Sequence, residues 1–172
     1  MRLTSLFRKP AAPERRVYEA IVAAARHPRL YAGWGVPDTV DGRFDMLALH
    51  LFMVLDRMKG VEQAFRQRLT DTFFADMDRS LREMGVGDLS VAKKIRKMAE
   101  AFYGRVAAYD AAMAQGQEAF TAALTRNVYA SSSAPTGADQ LADYGMAVSR
   151  HLMTQAPDAI AAGSVTFPQP LP

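Results

Sequence analysis

Lys93, Lys94, Arg96 and Lys97, broken only by Ile95, form the densest run of charge in the chain. Such a run suits an acidic partner: nucleic acid, an anionic membrane surface or an acidic protein. On a helix whose Ile95, Met98 and Phe102 face inward, all four cations point away from that stripe. Cations in a first helical turn oppose the macrodipole, at about 0.3–1 kcal/mol each, so local stability does not account for their placement. Two readings stay open. Nearby acids (Asp88, or the aspartates of the preceding helix) compensate the charge, or the face is kept for an acidic partner. The cluster lacks interleaved aromatics and any RNA-binding motif, so specific nucleic-acid readout is not expected.

The other titratable residues do not assemble a catalyst. Asp76-Met-Asp78-Arg-Ser80 begins like a calcium loop, but Leu81 stands where the turn glycine is needed and Gly87 where the bidentate glutamate is needed. Asp41 and Asp45 lie four apart, and Asp71 and Asp76 five apart. All-α prenyl-transferring enzymes hold magnesium and diphosphate with aspartates on facing helices, but here the spacing does not repeat. Asp41 and Asp45 also flank a helix start, where carboxylates are stabilised anyway. His27, His50 and His151 show no metal-binding spacing. His50 sits in the apolar run Met46–Leu55 and reads as a hydrogen-bonded core histidine and a buried proton-sensitive point. With no cysteine, disulfides, thiolate metal sites and cysteine nucleophiles are excluded. Phosphate-loop and Gly-x-Ser-x-Gly motifs are absent as well. No cofactor or metal is expected.

These residues must be positioned by helices. The 172 residues are 49% hydrophobic and 23% charged, which fits one globular domain. The net charge of +3 is uneven: residues 1–30 carry +5 and residues 99–172 carry −3. Residues 1–12 read as a flexible basic arm, with Leu3, Leu6 and Phe7 flanked by Arg2, Arg8 and Lys9. That is a miniature interfacial anchor, suited to an anionic membrane surface. It has no apolar core long enough for a secretory signal.

Residues 13–156 read as the helical domain. The first helix begins at Pro13 and ends before His27-Pro28. Residues 28–42 form a long aromatic loop in which Tyr31, Trp34 and Val36 plug the bundle end. The second helix, 43–59, is apolar nearly all round and belongs at the bundle centre. An amphipathic helix over 61–84 follows, then one over 91–114 capped by Ser90, one over 117–129 and a last over 138–155. SSSAPTG, residues 131–137, is a loop. Residues 157–172 form a Pro-rich tail that cannot continue a helix. The fold class is therefore all-α, a single-domain bundle of about six helices.

Two stretches, DGRFDMLALHLFMVLDRMKG (Asp41 to Gly60) and FRQRLTDTFFADMDRSLREMGVGDLSVAKKIRKMAEAFYGR (Phe65 to Arg105), resemble the ubiquinol–cytochrome c chaperone family. The upstream Trp34-Gly35-Val36-Pro37-Asp38-Thr39 fits too, and the likeness covers roughly residues 15–155. Members are assembly factors for the cytochrome bc complex, respiratory complex III. The resemblance implies a non-enzymatic chaperone. Mitochondrial members work with a second assembly factor, sit on the ribosome near the exit tunnel, and hold newly made cytochrome b. Without a long import extension the chain looks like a bacterial-type member, expected in the cytoplasm at the inner face of the cytoplasmic membrane; a eukaryotic member would act in the mitochondrial matrix. A client-binding surface is expected among Tyr31, Trp34, Asp41, Arg43, Asp76, Arg79, Lys93, Lys94 and Lys97, chosen from the family-like segments. The alternatives are a ribosome- or RNA-binding helical module and a Mg-dependent prenyl-type enzyme.

Overall fold

The structure, a computed structural model, describes residues 11–130, 132 and 136–171. Among these it is all helical: α1 (Pro13–Ala25), a π-helical turn (Arg29–Gly33), α2 (Val40–Arg57), α3 (Gln63–Glu83), α4 (Asp88–Gln115), α5 (Gln117–Val128), α6 (Ala138–Met153) and α7 (Pro157–Ala161). Most of the expected arm over 1–12 lies outside the described residues, as do 131 and 133–135 of the expected loop.

Helix α2 takes the centre because every residue from Phe44 to Leu55 is buried. It packs against α1, α4, α5 and α6, while α3 bridges α1 and α4. Thr39 starts α2, its Oγ1 accepting a hydrogen bond from the Gly42 N–H at 3.1 Å. The apolar stripe of α3 lies under the bundle through Phe65, Leu69, Phe73, Met77 and Leu81. Phe73 stacks near Phe44 (5.9 Å) and Phe102 (5.4 Å), tying α3 to α2 and α4.

Three expectations need correction. Helix α4 begins at Asp88 with Gly87 as its N-cap, so Ser90 lies inside the first turn and caps nothing. Asp88 occupies the favourable first turn, and the four cations sit beyond it, where the opposing dipole has largely faded. The long connection after α1 is only partly a loop, because Trp34 N–H reaches back to the Arg29 carbonyl at 3.0 Å and closes a π turn. The tail contains a seventh helix: Pro157 cannot continue α6 but is at home in the first turn of a new one.

The rest of the tail is tied down. The Gln155 side-chain amide pairs with the Thr166 backbone, donating to its carbonyl (3.0 Å) and accepting from its N–H (2.9 Å). Arg57 donates to the Leu152 (2.9 Å) and Gln155 (2.7 Å) carbonyls, satisfying the end of α6. Phe167 then lies edge-on to the buried His50 ring, 5.6 Å away.

Two glycines seat the segment 34–39. A Cβ at Gly42 would stand 1.9 Å from the Pro37 carbonyl oxygen, and one at Gly137 1.9 Å from that of Trp34. Trp34 is buried, 5% exposed, with its ring 5.6 Å from Tyr144 and its carbonyl accepting from Tyr129 Oη at 2.9 Å. Val36 is buried beside it. The aromatic loop thus plugs the bundle end.

Candidate functional site

A cleft of about 680 Å³ opens where the start of α2 meets α4 and the end of α5. Phe44, Leu81, Met98, Ala101 and Val128 give it an apolar lining. Pro37, Thr39 and Val40 form one edge, and Lys94 and Lys97 another. Asp41, Asp45 and Arg105 add polar groups.

Helix geometry explains why α4 serves the cleft. At about 100° per residue, and taking Leu89 as zero, Lys97, Ala101, Lys94, Arg105 and Met98 fall between about 80° and 180°. Val91, Phe102 and Tyr109 fall near 200–220° and face the core. One helix therefore supplies a buried seam and, beside it, a cleft wall.

At the base of the cleft Asp45 is 4% exposed and forms an ion pair with Arg105, Nη2 to Oδ1 2.7 Å. Burial raises the Asp45 pKa to about 6, and the Arg105 charge limits that rise. The Arg105 guanidinium stands 5.5 Å from the Phe44 ring centre and donates to the Ala101 carbonyl at 3.2 Å. Its Nε, and the nearby Tyr109 hydroxyl, are buried without hydrogen-bond partners among the described residues. Burial, and then the Asp45 charge, push the Tyr109 pKa upward.

The expected surface residues divide. Asp41, Lys94 and Lys97 come together on the cleft. Arg43 is exposed and bonded to Asp38 (2.7 Å) in the preceding loop, which holds the Asp38 carboxyl below its usual range. Tyr31 is half-buried and donates to the Ala25 carbonyl at 2.8 Å, closing the end of α1. Trp34 is interior, its ring held by Tyr144 rather than offered to solvent. Asp76 accepts from Tyr18 Oη (2.9 Å) and Arg79 (3.4 Å) at the α1–α3 contact, and Lys93 is exposed but does not line the cleft. Sequence reasoning missed Phe44, Met98 and Arg105 as site residues, and weighed Asp45 as a magnesium-type or helix-start carboxylate, not as a buried ion-pair partner. A signal for Asp45 existed: positions three, four and seven further on are Ala48, Leu49 and Phe52, so a helix buries that carboxylate with them.

The open question about the basic cluster also narrows. Arg82 takes both Asp78 (2.6 Å) and Asp88, and none of Lys93, Lys94, Arg96 and Lys97 forms an ion pair among the described residues. Compensation by those aspartates is therefore not what holds the cations. Among the described residues no three His, Asp or Glu side chains converge on a metal-sized site, and no helix is long and apolar enough to cross a membrane.

A family model described as ubiquinol-cytochrome C chaperone matches residues 32–167. The chain is similar to "Ubiquinol-cytochrome-c reductase complex assembly factor 1" of Xenopus laevis, 26% identical over 116 residues, which is 66% of this chain and 58% of that protein. It thus spans well under two thirds of the length of that curated relative. It also resembles the crystal structure of the Cbp3 homolog from Brucella abortus, with a TM-score of 0.82 and 45% identity over 91% of this chain and 89% of that one. With most of its length matched, every wall of the cleft included, the chain belongs to the ubiquinol-cytochrome C chaperone family.

Proposed function

We propose that the chain is a non-enzymatic assembly chaperone for the ubiquinol–cytochrome c reductase complex, and that its cleft holds an apolar segment of newly made cytochrome b. One observation carries the reading: an apolar cleft is edged by Lys94 and Lys97, two cations with no ion-pair partner among the described residues. An immature membrane subunit offers matching chemistry. Its helices are apolar, and its connecting loops are polar and carry carboxylates or bound phospholipid headgroups. Phe44, Leu81 and Met98 take up the first, and the two lysines the second. Methionine suits the task because its flexible thioether adapts to varied apolar surfaces. The family and the relatives named above support assembly of this complex as the setting. The proposed place of action is the inner face of the membrane that receives the subunit, with a second assembly factor as a candidate co-worker.

The test is co-purification of cytochrome b with the tagged chain from a membrane-containing lysate. Lys94→Glu with Lys97→Glu is expected to cut recovery on the order of tenfold while the helical circular-dichroism signal and melting curve stay in place. Undiminished recovery would dispose of the cleft as the client site. Normal levels of assembled, active complex in cells lacking the chain would dispose of the function itself.

A further inference from the structure

Helix α4 carries a third face that neither the core nor the cleft uses. Leu89, Lys93, Arg96, Glu100 and Tyr103 fall within about 40° of one line along the helix, over a length of about 21 Å. All five are exposed, Leu89 at 93% and Tyr103 at 57%. Met84, at the end of α3 and just across the turn from Leu89, is 55% exposed. The stripe therefore has apolar or aromatic side chains at its two ends, with two cations, Lys93 and Arg96, and one acid, Glu100, between them.

We propose that this outer stripe of α4 is a docking face for an anionic lipid surface. Its cations are available: neither Lys93 nor Arg96 forms an ion pair among the described residues, and Arg82 occupies Asp78 and Asp88. On the stripe itself Lys93 and Arg96 face one acid, Glu100, and Lys94 and Lys97 on the neighbouring face add to the positive field. A nearly complete exposure of leucine at the very start of a helix brings nothing to the fold. A bilayer gives that side chain an acyl layer to enter, while Lys93 and Arg96 lie along the headgroups on their long stems. Tyrosine at the far end has the amphipathic character favoured at that depth. RNA fits less well, because a phosphate backbone has no use for Leu89 or Met84. The geometry has a functional corollary. The cleft lies more than a third of a turn around α4 from the stripe, so a chain lying on the bilayer holds its cleft open to the side and tilted away from the lipid.

The experiment is flotation of the full chain with phosphatidylcholine vesicles containing about 30% phosphatidylglycerol, compared with pure phosphatidylcholine and with a single-stranded RNA. Binding is expected only to the anionic vesicles, to weaken with salt, and to fall on the order of tenfold or more in Lys93→Glu with Arg96→Glu. Leu89→Ser is expected to weaken it several-fold at salt concentrations that screen the charges. Lys94→Glu with Lys97→Glu, the cleft pair, is expected to retain most vesicle binding, which separates this inference from the client reading. No binding at low salt, equal binding to neutral vesicles, equal loss in the two charge-reversal pairs, or retention on RNA without vesicles would each overturn it.

Discussion

Helix α2 passes through two different surroundings within about one and a half turns. At His50 every polar atom of the ring is satisfied. Nδ1 donates to the Met46 carbonyl at 2.7 Å, and Nε2 accepts from Tyr144 Oη at 3.0 Å. Tyr144 and Phe167 close over the ring, and the tail seals the seam. At Asp45 the charges are paired but their capacity is not used up: Arg105 Nε and Tyr109 Oη have no hydrogen-bond partner among the described residues, and Arg105 lines an open cleft. The sealed end is built for stability. The open end keeps polar groups at work that an apolar core would do without, which is what a binding site demands.

The sharpest way to break this contrast is Arg105→Ala. It strands the Asp45 carboxylate in the interior, and a loss of about 3–5 kcal/mol is expected from chemical denaturation. Asp45→Asn added to it is expected to recover a substantial part, since the stranded charge is then gone.

At the sealed end, Tyr144→Phe leaves His50 Nε2 without its donor, and a smaller loss of about 1–3 kcal/mol is expected.

The two ends also differ in the sign of their pH response. The Asp45 pKa is raised to about 6, whereas an aspartate in the unfolded chain titrates near about 3.9. Between those values the folded protein binds the extra proton, so the Asp45 contribution to stability falls as pH rises. Burial lowers the His50 pKa to about 4, against about 6.5 when unfolded. The unfolded chain then binds the extra proton, and the His50 contribution is lost as pH falls through that window. The two slopes oppose each other, each at most about 1.4 kcal/mol per pH unit. Relative to wild type, Asp45→Asn is expected to steepen destabilisation by acid. His50→Gln is expected to flatten or reverse it. Denaturation midpoints collected from pH 4 to 7 check both.

The smallest stability change is expected at the cleft edge. Lys94→Glu with Lys97→Glu should shift unfolding by about 0.5 kcal/mol or less while cutting cytochrome b recovery on the order of tenfold.

Periodicity alone placed the helices, because α2 and α3 carry unambiguous apolar stripes in Met46–Leu55 and Phe65–Leu81. It misplaced the start of α4, since Gly87 offers no side-chain cap and Ser90 looked like one. It missed α7 because those five residues are held by contacts distant in sequence: Ile160 is buried and α7 packs on α1. The site was legible only in part for the same reason. Lys94 and Lys97 announce themselves as charge. The pairing of Asp45 with Arg105 joins residues sixty positions apart and exists only once α2 and α4 cross. Trp34 shows the limit from the other side, since a lone tryptophan in a glycine-rich loop suits a binding surface and a plug equally, and Tyr144 decides between them.

The glycine at position 42 ties the mouth of the cleft to the bundle interior. Its α-carbon lies so near the Pro37 carbonyl that any larger residue must lift the 34–39 segment, backbone and all, away from α2. That segment also carries Trp34 and Val36 into the interior, so the same movement pulls on the core. An alanine there is thus a wedge that moves jaw and handle together, so aperture and fold are tied to the same missing methyl group.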